Sequence, residues 1–204
     1  DRLAGSKYSL VDYNRAGIAL REIVSKPDIR SGKEASEYAS EIRRTVRYLG
    51  VSDGNMQEGS LRCDVNISVR KGPNAPFGTK VEIKNMNSFS AIQKACDYEI
   101  ARQIEVYENG GKIFQETRLW DEAKQLTKSM RLKEGSSDYR YFPDPDLGPI
   151  EITKAQQEIW FKELPELPSK KRNKYVSQFG LSSYDARVIS DEISMANFFE
   201  ETVA

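Results

Sequence analysis

The sequence predicts an α+β fold in which an antiparallel sheet is combined with helices and followed by an all-α segment. Three observations predict it. Apolar and polar residues alternate over 61–70, as in a half-buried strand. Apolar residues recur at helical spacing over 31–49 and again over 88–107. From residue 153 onwards only helical patterns occur, and Pro165, Pro168 and Gly180 separate them.

The composition limits the chemistry that the chain can perform. The 204 residues include 31 basic and 31 acidic side chains, so the net charge argues neither for nor against a nucleic-acid partner. Because the chain has no histidine, Ser-His triads, Cys-His dyads and histidine-ligated metals are excluded within it. Two cysteines indicate a reducing compartment rather than a disulfide framework. No apolar run approaches the ~20 residues that a membrane span requires.

The N-terminal third is predicted to contain two short strands and a helix. The strands are expected within residues 8–28, around the Asn14–Gly17 turn. Ser31 and Glu34 have the spacing of a capping box, which predicts the start of the helix. Gly50 is expected to end it.

A hairpin and a second long helix are predicted next. The strand over 61–70 is followed by a turn rich in glycine and proline and by a second alternating strand over 78–85. Asn87 or Ser88 is expected to cap the helix, whose apolar stripe runs over Phe89, Ile92, Cys96, Ile100, Ile104 and Tyr107.

The remaining elements are two strands, a proline-rich loop and three helices. The strands are expected over 113–120 and 126–132, and residues 139–142 lead into a stiff loop over 143–146. Helices are predicted over 156–164, 170–179 and 182–203, the first with a Thr153/Gln156 capping box. The change of pattern places a domain boundary near 150–155, which divides the chain into residues 1–152 and 153–204.

The polar face of the predicted hairpin is the principal candidate site. If the apolar residues face the core, the opposite face carries acidic, amide and basic side chains together: Arg62, Asp64, Asn66, Lys80, Glu82 and Lys84. Carboxylate and amide oxygens suit Mg²⁺, and the cations suit phosphate. A solvated face with cross-strand charge pairs is the alternative.

Other polar residues have equally open interpretations. Glu22, in an otherwise apolar strand, either lies at an edge or supplies a third metal carboxylate. Arg118 and Arg140 either bind phosphate or belong to solvated surface and turn structure. The basic run 170–174 is typical of a solvated helix face, with a tRNA backbone contact as the less favoured alternative.

Seven stretches of the chain, in order, resemble the B subunits of aspartyl/glutamyl-tRNA amidotransferases. They are YSLVDYNRAG at 8–17, EIVSKPDIRS at 22–31, YLGVSDGNM at 48–56, EGSLRCDVN at 58–66, EIKNMNSF at 82–89, QETRLW at 115–120 and DYRYFPDPD at 138–146. Lys26 and Arg21 depart from the family pattern, which commonly has glutamate and an apolar residue there.

The resemblance implies a ligase that forms a carbon–nitrogen bond with glutamine as amido donor. ATP, with Mg²⁺, would phosphorylate the side-chain carboxylate of Glu-tRNA(Gln) or Asp-tRNA(Asn), and ammonia from an amidase A subunit would displace the phosphate. A small C subunit would complete the complex, in a bacterial cytoplasm, a mitochondrion or a chloroplast. A glutamine-synthetase-like catalytic domain, partial here, would precede the start of a helical tRNA-contacting domain.

Carried over by position, the acidic catalytic and metal-binding residues would be Glu22, Asp64 and Glu82. Arg62, Asn66 and Lys84 would lie nearby as ATP-binding residues, and Arg118 and Arg140 are added to them from the polar clusters described above. The family's N-terminal metal ligands and C-terminal tail domain lie outside this sequence, so we expect the isolated fragment to be inactive. A non-catalytic tRNA-binding module and a metal-dependent phosphoesterase are the alternatives.

Overall fold

The computed structural model describes residues 10–14, 16–132, 143 and 145–203. It confirms the α+β class. The elements in chain order are α1 (Gly32–Tyr48), β1 (Cys63–Ile67), β2 (Val81–Met86), α2 (Phe89–Glu108), β3 (Glu116–Asp121), β4 (Leu126–Leu132), α3 (Lys154–Glu163), α4 (Pro168–Phe179), α5 (Ser183–Ile189) and α6 (Ile193–Val203).

The four strands form one sheet in the order β1-β2-β3-β4. The pairs β1–β2 and β3–β4 are antiparallel, and the first is the hairpin that the sequence predicts. The central pair β2–β3 is parallel, so the sheet is mixed rather than wholly antiparallel. The crossover through α2 explains this pairing, since parallel neighbours need a long connection that returns the chain to the same end of the sheet.

The helix starts follow the predicted caps with one difference. Ser31 Oγ accepts a hydrogen bond from the Glu34 amide at 3.1 Å. The Glu34 carboxylate, however, accepts from the amide of Arg30 at 2.6 Å, one residue earlier than in a capping box. At α3 the box is complete, with Thr153 and Gln156 each accepting from the other's amide.

The core lies between the sheet and the two long helices. It is built mainly from small and branched apolar residues: Ala35, Ala39, Ile67, Ile83, Met86, Ala91, Ile92, Ala95, Cys96 and Trp120. Cys63 packs against it, and both thiols are free. Burial raises the pKa of Cys63 to about 11 and of Cys96 to about 12, with smaller contributions from nearby acidic groups.

The predicted apolar stripe of α2 is right for its first half and wrong for its second. Ile92 and Cys96 are buried, but Ile104 is 42% exposed. The buried residues of the second half are Glu99 and Gln103, each fully buried. They lie on the same face of the helix as Ile92 and Cys96, at helical spacing. These two positions are polar because their partners on the sheet are polar.

The two strands predicted within 8–28 are absent from the part of this segment that the structure describes, where the backbone is irregular. Its apolar side chains are largely exposed, and Leu20 is 93% exposed. A strand needs a neighbour to satisfy its backbone groups, and none of the described residues pairs with this segment.

The last three helices share a small core with the end of α1. Tyr48 of α1 is buried with Tyr175, Ala186 and Ala196, and its hydroxyl donates to the Ser190 carbonyl oxygen at 2.8 Å. The single helix predicted over 182–203 is interrupted near Ser190, which caps the end of α5. The division at 152/153 stays a prediction. Among the described residues, no helix combines the length and apolarity that a membrane crossing needs.

Candidate active site on the polar face of the sheet

Three of the predicted site residues meet on one face of the sheet. Asp64 lies on β1, and Glu82 and Lys84 lie on β2. The alternate residues Val81 and Ile83 are fully buried on the other side, where α2 packs. We refer to Asp64, Glu82 and Lys84 as the front trio, and to their side of the sheet as the front face.

Lys84 links the two carboxylates of the front trio. Its Nζ donates to Asp64 Oδ2 at 2.5 Å and lies 3.5 Å from Glu82 Oε1. The hydrogen bond to Asp64 raises the pKa of Lys84 against the opposing effect of partial burial, and the charges of Asp64 and Glu82 add to the rise. Lys84 is therefore a fixed ammonium at neutral pH, partly open to solvent.

Thr117 of β3 is a further member of this face that sequence reasoning missed. Its hydroxyl donates to Glu82 Oε2 at 2.9 Å, and its backbone is paired with Glu82 across the parallel β2–β3 ladder. Thr117 is fully buried. The sequence signal was indirect, because only a parallel placement of the QETRLW strand beside β2 brings the two residues together.

The front trio does not by itself fit a Mg²⁺ ion. Mg²⁺ requires near-octahedral oxygen ligands, whereas an ammonium group already lies between these two carboxylates. Among the residues that the structure describes, no group of three or more His, Cys, Asp or Glu side chains could hold a metal ion.

Of the remaining predicted site residues that the structure describes, Asn66 alone is paired with a member of the trio by the strand register. Arg62 is exposed just before β1, and Asn66 is exposed on β1 opposite Glu82. Glu22 is exposed in the irregular segment before α1 rather than on the sheet. Arg140 lies outside the described residues. Roles for these four side chains at ATP or a metal stay predictions.

Arg118 belongs to the opposite, helix-facing side of the sheet. Its Nε donates to Thr127 Oγ1 at 2.8 Å, its Nη2 to the Thr127 carbonyl oxygen at 2.8 Å, and its Nη1 to Glu116 Oε1 at 2.6 Å. The guanidinium is thus bound within the protein. Binding of ATP by Arg118 stays a prediction. It would require the guanidinium to give up these hydrogen bonds for bonds to ATP.

Arg118 is part of a buried polar network that the sequence did not reveal. We call it the back network; it comprises Glu99, Arg102, Gln103, Glu116, Arg118, Thr127 and Ser129. At its centre, the Glu99 carboxylate accepts hydrogen bonds from Arg102 at 2.6 and 3.0 Å, from Gln103 at 3.0 Å and from Thr127 at 2.9 Å.

Glu116 shows the electrostatic balance of the back network. Burial alone would raise the pKa of its carboxyl group, but the hydrogen bonds from Ser129 and Arg118 and the charges of Arg118 and Arg102 outweigh burial and lower it.

The sequence held one signal of the back network. It was the spacing of Glu99 and Gln103, which extend the buried face of α2.

The basic run of α4 is largely paired within the protein. Lys171 donates to Glu200 at 2.5 Å, and Lys174 donates to the same carboxylate at 3.1 Å. Arg172 donates to Glu41 of α1 at 2.7 Å. These contacts favour a structural role for the run over the tRNA backbone contact considered from the sequence.

Comparisons with known proteins match the chain to one family of proteins. A family model described as the GatB/GatE catalytic domain matches residues 2–158. The chain is 98% identical over 204 residues to the B subunit of the aspartyl/glutamyl-tRNA(Asn/Gln) amidotransferase of Prochlorococcus marinus (strain AS9601). It is 76% identical over 203 residues to the protein of that name from Synechococcus sp. (strain CC9605). The alignments cover all of this chain but 42% and 41% of those relatives, so the chain spans about two fifths of their length.

Proposed function

The chain belongs to the family of GatB/GatE catalytic domains, and from this premise we propose that it forms part of the B subunit of a tRNA-dependent amidotransferase. The proposed subunit uses ATP to phosphorylate the side-chain carboxylate of Glu-tRNA(Gln) or Asp-tRNA(Asn), and ammonia then displaces the phosphate to give the amide. The observation that carries this proposal is the 98% identity, over the whole chain, to a relative of that name.

The chemistry suits the residues of the front face. A carboxylate acylates an amine poorly until it is phosphorylated, and phosphoryl transfer depends on positioning and charge neutralisation rather than on a covalent nucleophile. The missing histidine is therefore no obstacle. In this proposal Lys84, with Arg62 beside β1, binds phosphate oxygens, while Asp64 and Glu82 hold Lys84 in place. Mg²⁺ enters only as the ion that accompanies ATP.

The proposed partners come from the family resemblance, and the reaction accounts for the first of them. Ammonia must be released from glutamine by an amidase A subunit, and a small C subunit completes the assembly. The relatives come from cyanobacteria, which favours a bacterial cytoplasm over an organelle as the proposed location. The aminoacyl-tRNA is the macromolecular substrate.

The proposal is tested by removing one charge of the front trio at a time in the full-length protein, assembled with its A and C subunits. Asp64→Asn and Glu82→Gln are expected to lower the rate of glutamine-dependent amidation of Glu-tRNA(Gln) by about 10²-fold, as loss of a preorganised electrostatic contact does. Their affinity for the tRNA should remain that of the wild type.

A matched control is available in the same sheet. Asp121 on β3 forms a cross-strand pair with Lys128 on β4 at 2.5 Å on the same face of the sheet, so Asp121→Asn removes the same kind of contact from strands that carry no member of the trio. It should leave amidation unchanged. If Asp64→Asn and Glu82→Gln amidate as fast as this control, the front trio is not the catalytic site and a tRNA-binding module is the better account.

A further inference from the structure

We infer that the back network positions the front trio, with Thr117 as the link between them, so that Thr127 and Ser129 act as positioning residues for a site on the other side of the sheet. The effect on catalysis rests on the proposed function. The effect on the position of β3 and of the trio does not.

Strand β3 is anchored on both sides of Thr117. Side chains alternate along a strand, so Glu116 and Arg118 point to the back while Thr117 points to the front. Arg118 makes two bonds to Thr127, and Glu116 accepts from Ser129, both on β4. The position of the Thr117 hydroxyl therefore follows from the contacts of its two neighbours.

The β3–β4 ladder is irregular where these side chains act. The β3–β4 register shifts between Thr117 and Arg118, which interrupts the regular pairing at that point. Such an irregularity re-aims the side chains beside it. On the β4 side, the side-chain bonds of the back network span this interruption, while on the other side β3 stays paired with β2 at Thr117 and Arg118.

Burial makes the back network cooperative. Glu99 is fully buried and receives several donors, and its other partner Gln103 also donates to the Ile67 carbonyl oxygen on β1 at 3.3 Å. A buried charge that loses part of its hydrogen bonding is strongly unfavourable, so these groups hold one arrangement together. The network thereby ties α2 to both edges of the sheet.

The consequence appears at Glu82. Thr117 holds its Oε2, while its Oε1 faces the ammonium of Lys84. A displaced Thr117 would remove one hydrogen bond from Glu82 and weaken its contact with Lys84. The back network thus controls how firmly the front trio holds its cation, although no member of the network lies on the front face.

The test uses the full-length protein in its complex and compares Thr127→Val with Thr127→Ser. Valine matches the shape of threonine but loses the hydroxyl, whereas serine keeps it. The first readout is the rate at which an amine-acylating reagent modifies Lys84, followed by mass spectrometry. The second is kcat and KM for ATP-dependent amidation.

We expect Thr127→Val to raise the labelling rate of Lys84 and to lower kcat, each by about tenfold, the factor that one hydrogen bond supplies, with KM for the tRNA unchanged. Thr117→Val should reproduce both changes. Thr127→Ser should behave as the wild type. Thr45→Val is the matched control, because it removes a hydroxyl that bonds only within α1, to the Glu41 carbonyl oxygen at 2.9 Å.

Ser129→Ala provides a milder second variant if Thr127→Val does not fold, since it removes only the donor to Glu116. Unchanged Lys84 labelling in every folded variant of Thr127 and Ser129 would overturn the inference. If labelling changes but the wild-type complex phosphorylates no aminoacyl-tRNA, the proposed function fails and the positioning role stands.

Discussion

A lysine that bridges two carboxylates makes the front face a site with a fixed positive charge. The contacts of Lys84 with Asp64 and Glu82 keep its ammonium charged and fixed, and the side chain is still 34% exposed. A preorganised cation that solvent can reach is what a phosphate group needs for binding. The same geometry argues against treating the two carboxylates as a bare metal site.

Glu116 gives a residue-scale prediction about pH. Its folded pKa lies below the ordinary value of 4.5. Its stabilising contribution is therefore complete above pH 4.5 and is lost as the pH falls through the lower, folded pKa. We expect the free energy of unfolding, measured by urea titration, to decrease from pH 5 towards pH 3, and Glu116→Gln to make that decrease shallower.

The same variant should also be less stable at neutral pH, by roughly 1–3 kcal/mol, because it weakens charge-assisted bonds in a buried position. Glu105→Gln, on the exposed side of α2, is the control and should keep the wild-type pH dependence. An unchanged slope in Glu116→Gln would show that other groups cause the acid sensitivity.

At the scale of elements, local patterns predicted more than long-range pairing did. The alternation over 61–70 and 78–85 predicted β1, β2 and their common polar face, and the Thr153/Gln156 spacing predicted the start of α3. These features depend on neighbours in sequence. The parallel β2–β3 pairing and the polar half of α2 depend on residues far apart in the chain, which periodicity alone does not detect.

The contact between α1 and α2 gives a prediction at this scale. A Cβ atom at Gly32 would lie 2.4 Å from Asp97 Oδ1 and 2.5 Å from the Gln93 carbonyl oxygen. The second atom belongs to the backbone of α2 and cannot move aside without shifting the helix. Gly32→Ala should therefore destabilise the protein by roughly 1–3 kcal/mol in urea titration.

Gly72→Ala is the matched control, because none of the described residues places an atom within 4 Å of its Cβ position. It should unfold at nearly the same urea concentration as the wild type. Equal midpoints for the two variants would mean that α1 and α2 separate enough to accept a methyl group, and that their close approach does not contribute to stability.

At the scale of the whole molecule, α1 connects the sheet to the C-terminal helices. Arg44 donates to Asp191 at 2.6 Å, and Arg172 of α4 reaches back to Glu41. The basic run that suggested a surface for tRNA is partly used for this attachment. Composition could not predict it, because the acidic partners of the run lie on other helices.

The candidate site was only partly predictable for the same reason. Asp64, Glu82 and Lys84 follow from the pleat of one hairpin, so the sequence predicted them together. Thr117 and the back network come from three other elements and needed the topology of the sheet. Arg118, expected at ATP, instead bonds within the network, because its place on β3 turns it towards α2.

The central claim is that the front trio promotes phosphoryl transfer to an aminoacyl-tRNA. It is tested most directly by transfer of the γ-phosphoryl group of labelled ATP to Glu-tRNA(Gln) in the full-length complex without an ammonia donor. Lys84→Met is compared with Lys128→Met, which removes the exposed lysine of the Asp121 pair. We predict a loss of about 10²-fold in Lys84→Met and none in Lys128→Met. Wild-type transfer by Lys84→Met would contradict the account.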